Sequence, residues 1–188
     1  FEMAMQTGSL LDALQSHTAL DDMEAQHLRD TIAFVSRHTD GSWWQRSTLE
    51  GHITASAWVV DTARSHALLL HHAKLDRWLQ PGGHVDGEDV SVAAAALREA
   101  REESGIATLR LAGQSLLDVD VHGIPARGGE PAHLHYDLRY LIISPEHGLQ
   151  LSEESLGARW LPIATITRAN FDPGIVRLAE KSQRLNYT

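Results

Sequence analysis

The chain has 188 residues, 43% hydrophobic and 22% charged, a balance that suits one globular domain and excludes a wholly disordered or collagen-like polymer. Its 16 Lys and Arg against 25 Asp and Glu give a net charge of −9 with histidines neutral. Long nucleic acid is therefore not expected as a partner, because displacing its counterions takes basic surface. The chain contains no cysteine, which removes disulfides, thiolate metal sites and cysteine nucleophiles and suits a reducing, cytoplasmic setting. No apolar run approaches the ~18 residues of a membrane span. Phe1 to Met5 lack the basic and apolar regions of a signal peptide, and Met3 or Met5 is a candidate natural start.

Residues 1–45 read as a helical extension and 46–188 as the main domain. Leu10, Leu11 and Leu14, then Met23, His27, Ile32, Phe34 and Val35, recur with helical spacing, with Asp21 or Asp22 as a cap. Asp40-Gly41 breaks the pattern. His52–Asp61 and Ala67–Leu70 are β-branched and apolar and read as strands, and Leu75–Leu79 as a third short one. Val90–Ser104 is an alanine-rich helix with Gly105 in the stop position. Leu109–Val121 offers one or two strands with a break near Ala112-Gly113. Residues 123–132 form a Gly/Pro-rich loop, His133–Ile143 a long strand, and Arg159–Leu161 a short one. Asp172-Pro173 opens a last helix. This order points to an α+β protein whose mixed sheet wraps a central helix.

The densest chemistry lies in residues 82–106. On a helix, Glu99, Glu102 and Glu103 share one sector at i, i+3, i+4 spacing. No lysine follows at i+4, and Arg98 and Arg101 are expected to point elsewhere, so the three carboxylates lack a protein cation. A hard divalent ion, Mg²⁺ or Mn²⁺, suits such an oxygen set. Gly82 and Gly83 precede it, and glycine lets a backbone carbonyl approach a ligand.

These residues resemble the Nudix box, G-x5-E-x7-R-E-U-x-E-E-x-G-U with U apolar. Arg98-Glu99-Ala100-Arg101-Glu102-Glu103-Ser104-Gly105-Ile106 matches its second half, with Ala100 as U. The loop before it is one residue long. Counting from Gly83 places the first box carboxylate on Asp89, and counting from Gly82 places it on Glu88, so both are candidates to hold Arg98. The likeness runs over residues 50–168, through Trp78-Leu79-Gln80-Pro81 and Arg159-Trp160-Leu161-Pro162. It implies an αβα sandwich. It also implies Mg²⁺- or Mn²⁺-dependent hydrolysis of a small nucleoside-diphosphate-X type substrate by water attack on phosphorus. By position, Gly83, Glu99, Glu102 and Glu103 form the metal set. The general base is left between Glu99, Glu102 and a later acid, Glu153 or Glu154. A catalytically silent Nudix-fold binding module is the alternative, disfavoured because all three helix carboxylates are kept.

His133, His135, Asp137 and Arg139 alternate along one strand and share a face, while Leu134, Tyr136, Leu138 and Tyr140 share the other, apolar one. The polar row can bind phosphate, take a second metal or orient a substrate ring, and His84 and His122 can converge on it. Substrate contact is expected for His84, His133, His135 and Arg139. Trp58 and Trp160 read as core; Trp43 and Trp44 read as packing or as cover for a pocket. The N-terminal helices are candidates for a lid or a homodimer surface.

Overall fold

In the computed structural model, which describes residues 7–72, 76–149 and 155–185, the N-terminal segment folds as α1 (Thr7–Gln15) and α2 (Asp22–Arg37). Asp21 caps α2 by accepting from the Glu24 N–H at 2.7 Å. The strands are β1 (Gly51–Asp61), β2 (His66–His72), β3 (Arg77–Leu79), β4 (Gly82–His84), β5 (Arg110–Ile124), β6 (His133–Ser144) and β7 (Ser155–Pro162). Helix α3 (Val92–Ser104) precedes β5, and α4 (Pro173–Leu185) follows β7. Leu75 of the expected third strand lies outside the described residues, whereas Trp78 and Leu79 are in β3. The expected break near Ala112-Gly113 is a register shift between Leu111 and Leu116 inside a single strand.

The described strands form one mixed sheet in the order β3-β2-β1-β6-β5, with β4 paired to β1 and β7 to β2. The parallel β1–β6 ladder is its axis, from Gly51 opposite Leu134 to Asp61 opposite Ser144. Alternation along these strands divides the core. Ile53, Ala55, Tyr136 and Leu138 pack with Ala93 and Ala96 of α3 and Phe34 of α2. From the other face of β1, Trp58 and Val60 pack with Ile175, Leu178 and Ala179 of α4. Helices thus cover both faces, an αβα arrangement. The N-terminal helices belong to the first of these clusters through Leu10, Leu14, Phe34 and Val35. No described helix is long and apolar enough to cross a membrane.

Two expectations are corrected inside this core. Met23, placed on the apolar face of its helix, is 50% exposed, and its neighbour Glu24 is fully buried. The polar face of β6 is open only at its start: Asp137 and Arg139 are buried. Arg139 bonds Asp137 at 2.9 Å and Asp118 at 3.3 Å, and pairs with Asp120 at 3.2 Å. Arg177 of α4 grips Asp118 through Nε and Nη2 at 2.7 and 2.9 Å. Lys181 joins Asp118, at 3.0 Å, to Glu24 of α2. The reason is local: β5 offers Asp118 and Asp120 on the face that β6 presents with Asp137 and Arg139, so buried cations meet buried carboxylates instead of solvent.

Burial alone would raise the Glu24 carboxyl, but hydrogen bonds from His17, Lys181 and the Leu20 N–H outweigh it and hold it well below the usual carboxylate range. A depressed folded value stabilises the protein above the unfolded value of ~4.3, and that contribution is lost as pH falls through the folded one. Urea midpoints of the wild type should therefore drop between about pH 5 and 3, and those of Glu24→Gln should drop less. At neutral pH, Glu24→Ala should cost about 1–3 kcal/mol, because the Leu20 N–H and Lys181 lose a buried acceptor while Lys181 keeps Asp118, read as a lower urea midpoint at unchanged slope.

Candidate active site

Helix α3 starts where Ser91 caps it, its hydroxyl accepting from the Ala94 N–H at 3.1 Å, and stops at Gly105, whose φ of 71° is the left-handed conformation glycine tolerates. Ala93, Ala96 and Ala100 are buried against the sheet, which turns Glu99 and Glu103 toward β4, while Glu102 is exposed beside Arg98. The two glycines of β4 make the approach close. The Gly82 N–H donates to Glu103 Oε2 at 2.9 Å. A Cβ built on Gly83 would stand 2.5 Å from Glu99 Cδ, so any side chain there displaces the carboxylate.

Arg98 organises the loop. Its Nε and Nη2 donate to the two carboxylate oxygens of Asp89 at 3.1 and 2.9 Å, and Nη2 also donates to the His84 carbonyl at 3.0 Å. Asp89 is buried and in turn accepts from the Asp86 N–H at 2.8 Å, while Glu88 is exposed. Of the two acids left open by the long loop, Asp89 is the one bonded to Arg98. The expectation that no cation sits among the carboxylates is corrected: Arg98 Nη1 also reaches Glu99 at 2.9 Å and Glu102 at 3.4 Å. One guanidinium still faces Asp86, Asp89, Glu99 and Glu102 together. Burial, with Glu102 and Asp86 nearby, pushes the Glu99 carboxyl above its ordinary range despite Arg98. This surplus of carboxylate oxygen beside a glycine backbone fits a hard divalent cation, and a proton-accepting group at Glu99.

His84, His133 and His135 line a cleft with Arg46 and Glu130, and His52 forms its floor. Burial and neighbouring charges, His84 and His133 among them, lower His52 to about 4; burial and the surrounding imidazoles lower His135 to about 2, so both rings are neutral at physiological pH. Arg139 does not join this cleft, its guanidinium being taken up by three aspartates. Glu153 and Glu154 lie outside the described residues. Trp43 is fully buried, while Trp44 is half-buried, packs against the same core and lies beside Gly87 in the box loop. His52 was missed by reading its strand as a uniformly apolar run. The available signal was the alternation of His52, Thr54 and Ser56 with Ile53, Ala55 and Ala57, which places a polar stripe on the face that β6 continues with His135 and Asp137.

The two loop acids separate cleanly by experiment. Asp89→Ala removes a buried acceptor of Arg98 and should destabilise the fold by about 1–3 kcal/mol in chemical denaturation. Glu88→Ala, at an exposed position, should change stability by no more than about 0.5 kcal/mol.

The NUDIX domain family model matches residues 50–181. No curated protein sequence matches the chain. Among solved structures, a Caenorhabditis elegans Ap4A hydrolase binary complex is similar at TM-score 0.52 and 23% identity, covering 71% of this chain and 96% of that one. A MutT NUDIX hydrolase from Burkholderia pseudomallei is similar at TM-score 0.52 and 22% identity, over 68% and 95%. A UDP-X diphosphatase reaches TM-score 0.50 at 12% identity over 98% of this chain and 96% of that one, so that likeness of fold takes in the N-terminal helices. At these identities the likenesses concern the fold, and the family rests on the domain match. The αβα sheet, the carboxylate helix locked to its glycine strand and the match over residues 50–181 agree: this chain belongs to the Nudix family of diphosphate hydrolases.

Proposed function

We propose that the protein is a Mg²⁺- or Mn²⁺-dependent hydrolase that cleaves the diphosphate linkage of a small nucleoside-diphosphate-X type substrate by water attack on phosphorus. The observation that carries this reading is the contact of Gly82 and Gly83 with Glu103 and Glu99, which brings helix carboxylates against the glycine strand where one guanidinium, Arg98, faces Asp86, Asp89, Glu99 and Glu102 together. Glu99, Glu102, Glu103 and the Gly83 carbonyl would hold the cation. When bound, it would offset charge on the phosphate oxygens and lower the pKa of the attacking water. Glu99, raised by burial, is suited to take the proton from that water, with Glu102 as the second candidate. Arg98 and Asp89 act by positioning: they hold the loop against the C-terminal half of α3, which carries the carboxylates, and need not touch substrate. His84 follows Gly83 directly, so the cleft it shares with His133, His135 and Arg46 begins one residue from the metal set, across β4, and is the surface assigned to the X moiety.

Steady-state hydrolysis, assayed as phosphate or nucleotide release over nucleotide sugars, dinucleotides and nucleoside triphosphates, tests this. Activity should vanish in excess chelator and return with Mg²⁺ or Mn²⁺; full turnover without either ion overturns the reading. Glu103→Gln should fold normally and lose about two to four orders of magnitude in kcat. A rate within a few-fold of wild type would put the metal elsewhere. His84→Ala should raise KM more than it lowers kcat, the signature of lost substrate contact.

A further inference from the structure

A second cluster of ligand-type side chains lies on the far side of β4 from the carboxylates. Alternation along the strand points Gly83 at Glu99 and turns the His84 side chain the other way, its ring 5.1 Å from that of His52. His52 stands opposite His135 in the parallel β1–β6 ladder, and His133 lies two residues earlier on the same face of β6. The three rings of His52, His133 and His135 are 4.8 to 5.2 Å apart by centroid. One ring nitrogen from each lies within 4.8 Å of the other two.

Three details go beyond crowding. His52 is only 3% exposed, yet neither of its ring nitrogens has a hydrogen-bond partner among the described residues. A buried imidazole with both nitrogens unsatisfied is a rare feature that asks for a ligand. His133 Nδ1 lies 2.9 Å from the Pro131 carbonyl. A carbonyl only accepts, so the proton sits on Nδ1 and a neutral ring turns the Nε2 lone pair toward His135, the outer hydrogen bond that typifies metal-bound histidine. That Nε2 is 3.3 Å from His135 Nε2. Two nitrogens bound at about 2.0–2.1 Å to a tetrahedral ion would be separated by about 3.3–3.4 Å.

We propose that His52, His133 and His135 form a second metal site, selective for a borderline transition-metal ion of the Zn²⁺ class, with the fourth position open to the cleft. An all-imidazole set favours Zn²⁺ or Co²⁺ over Mg²⁺, whose preference is oxygen. The cleft beside it, lined by Arg46, His84 and Glu130, gives water or a substrate group access to the open position. None of the box ligands takes part, so this site stands or falls apart from the diphosphatase reading.

The untagged full-length protein, stripped with chelator and then saturated with Mg²⁺, is titrated with Co²⁺ and followed by visible absorption. A single equivalent should bind with tetrahedral bands and be displaced by Zn²⁺. His133→Gln and His135→Gln, at half-exposed positions, should each weaken Co²⁺ by more than about 100-fold, beyond the range of an outer-shell change. His52→Ala should do the same, and its circular dichroism separates ligand loss from unfolding. Glu103→Gln should leave Co²⁺ affinity unchanged. No Co²⁺ uptake by the wild type, wild-type affinity in both glutamine variants, or uptake that disappears with Glu103→Gln would each overturn the site.

Discussion

Asp118, with no exposed surface, is the point on which the layers meet. Arg139 of β6 and Arg177 and Lys181 of α4 all converge on it. From there the network runs through Lys181 to Glu24 of α2, and through Arg139 to Asp137, which also accepts from Thr54 and Ser56 of β1. Taking this many charges out of water is costly, and the cost is met only when every carboxylate has its cations in place. The network therefore acts as a register device. A slip of β5 by one residue would turn Asp118 and Asp120 to the apolar face, take both aspartates from Arg177 and leave Arg139 with Asp137 alone. It also explains how α2, far from α4 in sequence, is locked into the same body.

The network ends at the candidate metal histidines. Asp120 pairs with His122, whose ring lies 5.5 Å from His135. The polar face shared by β1, β5 and β6 thus divides along its length. Its inner part is saturated by ion pairs, and its outer part, at the start of β6, carries imidazoles that lack such partners. The division follows from which residues have counter-charges opposite them, since Arg139 meets three aspartates while His135 stands between His52 and His122 in the sheet.

Strand β4 is the hinge between the two chemistries. It spans only Gly82–His84, yet its backbone binds Glu103, its glycine faces Glu99 and its histidine faces the imidazole cleft. Arg98 ties the same segment down through the His84 carbonyl. A carboxylate set and a nitrogen set can coexist at such short sequence separation because a strand sends successive side chains to opposite sides.

Much of this was legible from local pattern. The helix read over Val90–Ser104, which forms from Val92, its glycine stop, the β1 and β6 strands and the shared sector of Glu99, Glu102 and Glu103 all follow from periodicity within a few residues of each position. The choice of Asp89 over Glu88 was not legible, because both can be counted onto the motif and only the folded loop shows which one is buried against Arg98. The burial of Glu24 and Arg139 was not legible either. A single strand or helix reveals that a charged residue shares a face with others, but not that the opposing element supplies its counter-charge. Asp118 with Arg177, and Glu24 with Lys181, are separated by 59 and 157 residues. The same holds for His52, whose proximity to His133 and His135 comes from a parallel ladder across the middle of the chain. The sequence by itself determined which elements form and which side chains share a face, since those depend on backbone period; only the tertiary structure decided which of those faces are dry, paired or open, since that depends on what packs against them.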